Sequence, residues 1–147
     1  MLNTERLLRR WVEAYPENLK PKIVQERFRT DTRNWWKHIQ PVEFRTLWGG
    51  EIAATELTGY LKPERYTIYT DQLAGKLIFK FKFQKDPNGN VEILMPFWNF
   101  KWELAEKGLV PPLLIYADLM ATGDARAIEA AEIIYDKYIA RLVRKDR

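Results

Sequence analysis

Apolar residues recur at helical spacing at Leu7, Leu8, Trp11, Val12, Tyr15 and Leu19, with Arg6, Arg9, Arg10 and Glu13 between them. This pattern predicts an amphipathic helix over Thr4 to Tyr15, ended by Pro16. A short strand is expected from Ile23 to Arg29, and then a helix-like piece from Thr32 to Ile39 holding Trp35 and Trp36, closed by Pro41. Phe44 to Trp48 reads as a buried strand running into Gly49-Gly50, Glu51 to Leu57 as a short helix stopped by Gly59, and Tyr66 to Thr70 as the next strand. Asp71 is placed to cap a helix reaching about Leu77. Phe79, Phe81 and Phe83 alternate with Lys80 and Lys82, and Asp86-Pro87-Asn88-Gly89-Asn90 then turns the chain toward Val91 to Leu94, which predicts a hairpin. Pro111-Pro112 opens a helix running to Thr122 and broken by Gly123. The last periodic stretch, Asp124 to Arg144, predicts a long surface helix whose Ile134 and Ile139 face the sheet.

This order of elements gives an α+β class, a small mixed sheet flanked by helices. With 147 residues, 46% of them hydrophobic and 14% aromatic, the chain suffices for one core and not for two, so residues 1–147 are expected to form a single domain. There is no Cys, which excludes disulfides and thiolate chemistry, and His38 is the sole His, which argues against an ordinary zinc site. No cofactor or metal is expected. Neither a signal-like apolar core nor a bilayer-length apolar run is present, so a cytoplasmic protein without membrane contact is expected. The net charge of +4 permits nucleic acid as a partner without demanding it.

Trp48-Gly49-Gly50, the helix after it and Tyr66-Thr67-Ile68-Tyr69 together bear on chemistry. A strand ending at Gly-Gly, a helix, and a further strand are similar to the start of polymerase-β-type nucleotidyltransferases. In those enzymes the second strand carries two carboxylates at i and i+2, which point to one face and share a divalent metal. Here Arg65/Thr67, Tyr66/Ile68 and Thr67/Tyr69 supply none. Gly49, Gly50, Thr67, Tyr69 and Glu92 therefore read as positions of a degenerate nucleotide site; Glu92 stands where a third acid would be, but its alternation with Val91 and Ile93 favours an exposed strand residue. Asp118 and Asp124 read as a helix-face polar residue and an N-cap. No catalytic residue is assigned.

Basic and aromatic residues interleave at Arg33-Asn34-Trp35-Trp36-Lys37 and at Lys80-Phe81-Lys82-Phe83. Such mixtures neutralise phosphates and stack bases. Arg33, Lys37, Lys80 and Lys82 are the candidate nucleic-acid contacts. Trp35 and Trp36, adjacent and unable to point the same way from a helix, are the candidate stacking or partner surface.

The segments Leu7 to Pro16 (LLRRWVEAYP), Trp48 to Pro63 (WGGEIAATELTGYLKP), Thr67-Ile68-Tyr69-Thr70, Asp86 to Trp98 (DPNGNVEILMPFW) and Val110 to Asp124 (VPPLLIYADLMATGD) resemble the C-terminal domain of AbiEi-type antitoxins of type IV toxin-antitoxin systems. That resemblance implies an antitoxin that supports transcriptional autoregulation and counteracts a nucleotidyltransferase-like toxin without a stable complex. In the family an N-terminal winged helix binds operator DNA. Nothing before Leu7 has the length for one, so weak, non-specific nucleic-acid binding is expected of this chain alone. Two alternatives stand beside it: a nucleic-acid-binding module without antitoxin role, and an active nucleotidyltransferase using Glu64, Asp71 and Glu92.

Overall fold

The computed structural model describes residues 3–72, 74–98 and 101–141. Helix α1 (Asn3–Ala14) continues through a π-helical turn (Tyr15–Leu19) into the short α2 (Lys20–Ile23), and strand β1 (Val24–Arg29) follows. A long loop and a 3-10 turn (Pro41–Phe44) lead to β2 (Leu47–Gly49), α3 (Gly50–Thr58) and β3 (Tyr66–Tyr69). Then come α4 (Gly75–Phe81), β4 (Gln84–Lys85), β5 (Val91–Leu94), α5 (Pro112–Thr122) and α6 (Ala125–Ile134), the last prolonged by a π-helical turn to Ile139. The expected α+β class is what is found. The five strands form one sheet in the order β2-β3-β5-β1-β4, mixed because β3 and β5 run parallel while the other neighbours are antiparallel.

Register decides what each face of this sheet carries. Thr67 pairs with Glu92 and Glu92 with Arg27, while Tyr69 pairs with Leu94. Because side chains alternate along a strand, Arg27, Thr67, Tyr69 and Glu92 share one face. Phe28, Tyr66, Ile68, Val91 and Ile93 share the other, and all five are buried. Helix α3 packs on β2 and β3, α5 packs on α3, and α1 on α5, so helices cover the polar face. The loop after β1 and the end of α4 cover the apolar face: Trp35 meets Tyr66, Phe81 and Phe83 with ring centroids 5.5, 5.3 and 5.2 Å apart.

Four glycines take positive φ, and two shape the polar side. Gly50, at φ +48°, opens α3, and a Cβ there would lie 2.7 Å from the Thr67 hydroxyl. Gly59, at φ +66°, ends α3 by donating its N–H to the Thr55 carbonyl. The close approach of Gly50 to Thr67 brings the first turn of α3 against β3.

Several expectations need correction. Pro16 does not end the first helix: Ala14 before the π turn and Lys20 after it are both right-handed helical, and the chain passes from α1 through the π turn into α2. Leu7 is exposed rather than part of the buried stripe. Residues 33–38 form turns, with Asn34 at φ +56°, instead of a helix. Most sharply, Phe79 to Phe83 is not a hairpin strand. Leu77, Ile78 and Phe81 fall on one side of helix α4, which leaves Phe79 exposed, and β4 pairs with β1 rather than β5. The helix expected from Asp71 to Leu77 is thus displaced by one turn. Asp86 to Asn90 does turn the chain, with Gly89 N–H donating to the Asp86 carbonyl at 2.9 Å. Asp124 caps α6 as expected, its carboxylate accepting from the Ala127 N–H at 2.8 Å. Ile134 and Ile139 are buried, but α6 packs mainly on α3 and α5 and not on the sheet. The part of the predicted last helix beyond Arg141 lies outside the described residues.

Candidate functional site

Strand ends and helix ends on the polar face enclose a pocket of about 580 Å³. The first turn of α3 (Gly50, Glu51), β3 with the residue before it (Arg65, Tyr66, Thr67), Glu92 of β5 and Arg27 of β1 form one wall. Lys20 of α2, Asp118 and Thr122 of α5, and Asp124 also line the pocket. The basic lining residues are Lys20, Arg27 and Arg65, and the acidic ones are Glu51, Glu64, Glu92, Asp118 and Asp124.

Lys20 organises the interior. Its ammonium lies 2.7 Å from Glu92 Oε1 and 2.9 Å from Asp118 Oδ1. The other oxygen of each carboxylate is also held: Arg27 donates to Glu92 Oε2 at 3.0 Å, and the Tyr69 hydroxyl to Asp118 Oδ2 at 3.0 Å. Thr67 adds a hydroxyl donor to Glu92 Oε1 at 3.2 Å. Because Tyr69 spends its single proton on Asp118, Tyr15, 2.6 Å away, must be the donor to the Tyr69 oxygen. A continuous chain of bonds therefore runs from Tyr15 through Tyr69, Asp118, Lys20 and Glu92 to Arg27.

The electrostatics follow from burial. Burial opposes the charge on Lys20, but Asp118 and Glu92 outweigh it and raise its pKa, so the ammonium is firmly protonated. Asp118, wholly enclosed, is raised by burial although Lys20 and Tyr69 pull it back. Burial and the nearby Asp118 charge raise Tyr69 and Tyr15, which stay neutral. Glu51, buried in the lining, is raised first by burial, against which it accepts a hydrogen bond from the Glu64 N–H at 3.1 Å. Arg126 reaches Glu64 at 3.2 Å and the Lys62 carbonyl at 3.2 Å, tying α6 to the loop before β3.

The structure brings Gly50, Thr67 and Glu92 to this pocket, with Gly49 and Tyr69 directly behind it. Glu92 is not the exposed strand residue that its alternation with Val91 and Ile93 suggested: both faces of β5 are covered, and the carboxylate is buried among cations. Asp118 is a bonded part of the interior and not merely a helix-face residue. Lys20 carried no sequence signal. It sits beside Pro21 in a mixed charged stretch, and only the continuation of the first helix past Pro16 turns it inward.

Arg33, Lys37, Lys80 and Lys82 lie elsewhere. All four are exposed and none forms a salt bridge among the described residues. Packing of Trp35 on Phe81 and Phe83 draws their two segments together, and Lys37 and Lys80 lean on the rings of Trp36 and Phe44. Trp35 and Trp36 are 3% and 4% exposed, so neither offers an open ring face, contrary to the stacking surface expected of them. In a turn, unlike in a helix, successive side chains can both enter the core.

A family model for transcriptional regulators, described as AbiEi antitoxins of type IV toxin-antitoxin systems, matches residues 1–140. The chain belongs to the AbiEi antitoxin family. Comparison with curated proteins gave no match, and neither did comparison with solved structures. The match covers every described element down to the π turn after α6, so the AbiEi domain includes the pocket and the basic segments alike. It carries the role of antitoxin and transcriptional regulator, and that role implies a toxin as functional partner. No helix among the described residues is long and apolar enough to cross a membrane.

Proposed function

We propose that this AbiEi domain acts as a non-catalytic antitoxin against a nucleotidyltransferase-like toxin, with residues 1–147 as one functional unit in the cytoplasm. The observation that carries the non-catalytic part is the position of the Lys20 ammonium between Glu92 and Asp118, facing a β3 that presents Thr67 and Tyr69. Nucleotidyl transfer needs carboxylates free to hold divalent metal beside the phosphates. Here the two buried carboxylates are already neutralised by side chains of the same molecule. Glu64 and Asp71, the other acids considered, are solvent-exposed, and Glu64 is engaged by Arg126.

The adjacency of the two basic segments supports a route to antitoxicity through nucleic acid. Arg33, Lys37, Lys80 and Lys82 would contact phosphates weakly and without sequence preference, competing with the toxin for a shared substrate rather than gripping the toxin. Operator recognition would then belong to a DNA-reading module additional to this domain.

Two assays test the reading. Co-expression of the 147-residue chain with its toxin should restore growth, while incubation with labelled nucleoside triphosphates, Mg²⁺ and tRNA should leave no label on the RNA. Incorporation abolished by Glu92→Gln would refute the non-catalytic assignment. Absence of rescue by a folded chain would refute the antitoxin assignment.

A further inference from the structure

Building on the nucleic-acid route proposed above, we propose that Phe79 is the stacking residue of the basic surface, and that its ligand is an unpaired base of single-stranded RNA whose flanking phosphates lie on Lys76, Lys80 and Lys82. Phe79 is 88% exposed, more than any other large hydrophobic side chain among the described residues. It also differs from the other phenylalanines in what touches it. Among the described residues Phe28, Phe81, Phe83 and Phe97 each lie against another ring, and Phe44 lies under the Lys80 ammonium at 5.7 Å. Phe79 has neither kind of neighbour, so both faces of its ring are open. Helix α4 turns Leu77, Ile78 and Phe81 toward the core, and Phe79 leaves from the other side.

Charge selects the ligand. No acid stands between Asp71 and Asp86, whereas Lys76, Lys80, Lys82 and Lys85 do. Lys85 is taken by Glu26 at 2.8 Å, but Lys76, Lys80 and Lys82 are exposed and form no salt bridge among the described residues. Lys76 precedes Phe79 by three positions and shares its face of the helix. Lys80 follows it directly, and Lys82 caps the helix in the left-handed conformation. Glu43 and Asp31, exposed acids of the segments that meet Lys80 and Phe81, pair with none of the three. An open ring among uncompensated lysines suits a base with its phosphates, since the ring accepts the π face of any base and each ammonium a phosphate. A duplex keeps its bases stacked inside, so only unpaired nucleotides can use the ring. RNA is chosen over DNA because that reading has the domain compete for the toxin's own substrate. A lipid surface fits less well: the apolar side of α4 faces the core, which leaves one ring instead of the broad apolar face of an interfacial helix. A protein partner also fits less well, because lysine is depleted at protein interfaces.

Fluorescence anisotropy of the full chain with a labelled single-stranded RNA of about ten nucleotides tests this directly. Phe79→Ala should bind it about 5–30-fold more weakly than the wild type. The slope of log K against log salt should not change, because no charge is lost. Phe79→Trp should bind at least as tightly as the wild type. On the same strand with its central bases removed, and on a fully paired RNA duplex, wild type and Phe79→Ala should bind alike. Lys80→Gln and Lys82→Gln should instead reduce the salt slope on all three ligands. Because the ring is exposed, Phe79→Ala should keep the Tm and near-ultraviolet circular dichroism of the wild type. Equal binding of the intact single strand by wild type and Phe79→Ala overturns the proposal, and so does an equal loss on the abasic strand and the duplex. Tighter binding of single-stranded DNA of the same sequence overturns the assignment to RNA. Sedimentation with phosphatidylserine vesicles that depends on Phe79 would overturn it in favour of a lipid surface. Growth rescue is read separately: a folded chain that fails to rescue refutes the antitoxin reading, whereas Phe79→Ala with undiminished RNA binding refutes the stacking role and leaves that reading standing.

Discussion

On one face of the sheet Arg27, Thr67, Tyr69 and Glu92 lie under helices because each meets a partner, and their carboxylate, hydroxyl and guanidinium groups end in named bonds. On the other face Phe28, Tyr66, Ile68, Val91 and Ile93 are covered by Trp35, Phe81 and Phe83, and packing does the work. The same strands serve both, since a period of two puts the polar set and the apolar set on opposite sides without changing the backbone. The difference lies in tolerance. An apolar face loses stability in proportion to the contacts removed, whereas a buried polar face fails when one partner goes and leaves the other uncompensated. One polar atom interrupts the apolar side: Trp35 Nε1 is buried without an acceptor among the described residues.

The largest effect is expected from Trp35→Ala, which removes the ring that joins β3, α4 and Phe83. Loss of about 3–5 kcal/mol should appear in urea unfolding. Trp35→Phe should cost much less, because it keeps an aromatic ring and eliminates a buried donor whose lack of a partner costs about 1–3 kcal/mol. Equal losses from both variants would show that shape, and not the orphaned N–H, governs this face.

Lys20→Met breaks the polar face and should cost about 2–4 kcal/mol, below the range for a fully buried pair because the side chain keeps some exposure. Adding Asp118→Asn should recover part of it, with a coupling of about 1–3 kcal/mol in the double-mutant cycle. Combined with Trp35→Ala across the sheet, Lys20→Met should instead add to within about 0.5 kcal/mol. Strong coupling between the faces would mean that the sheet transmits strain.

Titration separates them further. Lys20, Tyr15 and Tyr69 all have raised pKa values in the folded state. For each, the native state holds a proton that the unfolded chain releases above about pH 10, so stability is fully present below that pH and is lost as pH rises through the folded values. Unfolding free energy measured from pH 8 to 11 should stay level and then fall. Tyr69→Phe should shallow the fall, and so, to a smaller degree, should Trp35→Ala, which uncovers Tyr66 and its burial-raised hydroxyl. Stability that rose between pH 10 and 11 would contradict the assignment.

Much of this division was legible in the sequence. β3 and β5 stand where β-branched and aromatic runs predicted strands, Gly59 and Gly123 end their helices, and Gly49-Gly50 marks the turn that brings α3 to Thr67. The acid-free β3 was readable because two ligands on one strand obey a local period. The Lys20–Glu92–Asp118 cluster was not, because its members lie on α2, β5 and α5 and meet only through tertiary packing. Phe79 to Phe83 misled for a related reason: alternation over five residues also fits a short helix with one exposed Phe, and the neighbouring Leu77 and Ile78, which settle the matter, break the period of two. Trp35 and Trp36 were misplaced by assuming a helix where Asn34 takes a left-handed turn.

The smallest expected effect concerns the rim of the apolar face, where Arg33, Lys37, Lys80 and Lys82 are exposed while the aromatics beneath them are not. Whatever Phe79 adds by stacking, each Lys→Gln or Arg→Gln change should weaken binding uniformly across sequences. Each should also reduce the slope of log K against log salt by about 0.7 for single-stranded RNA. Stability should move by no more than about 0.5 kcal/mol, since none of the four forms a salt bridge among the described residues. Fluorescence anisotropy with a labelled single-stranded oligonucleotide, titrated at several salt concentrations, reads both affinity and slope. Charge changes on the pocket side, such as Arg65→Gln, should leave the slope untouched. A loss of binding from Arg65→Gln with no loss from Lys80→Gln and Lys82→Gln would reverse the comparison, placing nucleic-acid contact on the polar face and leaving the basic rim as solvated surface.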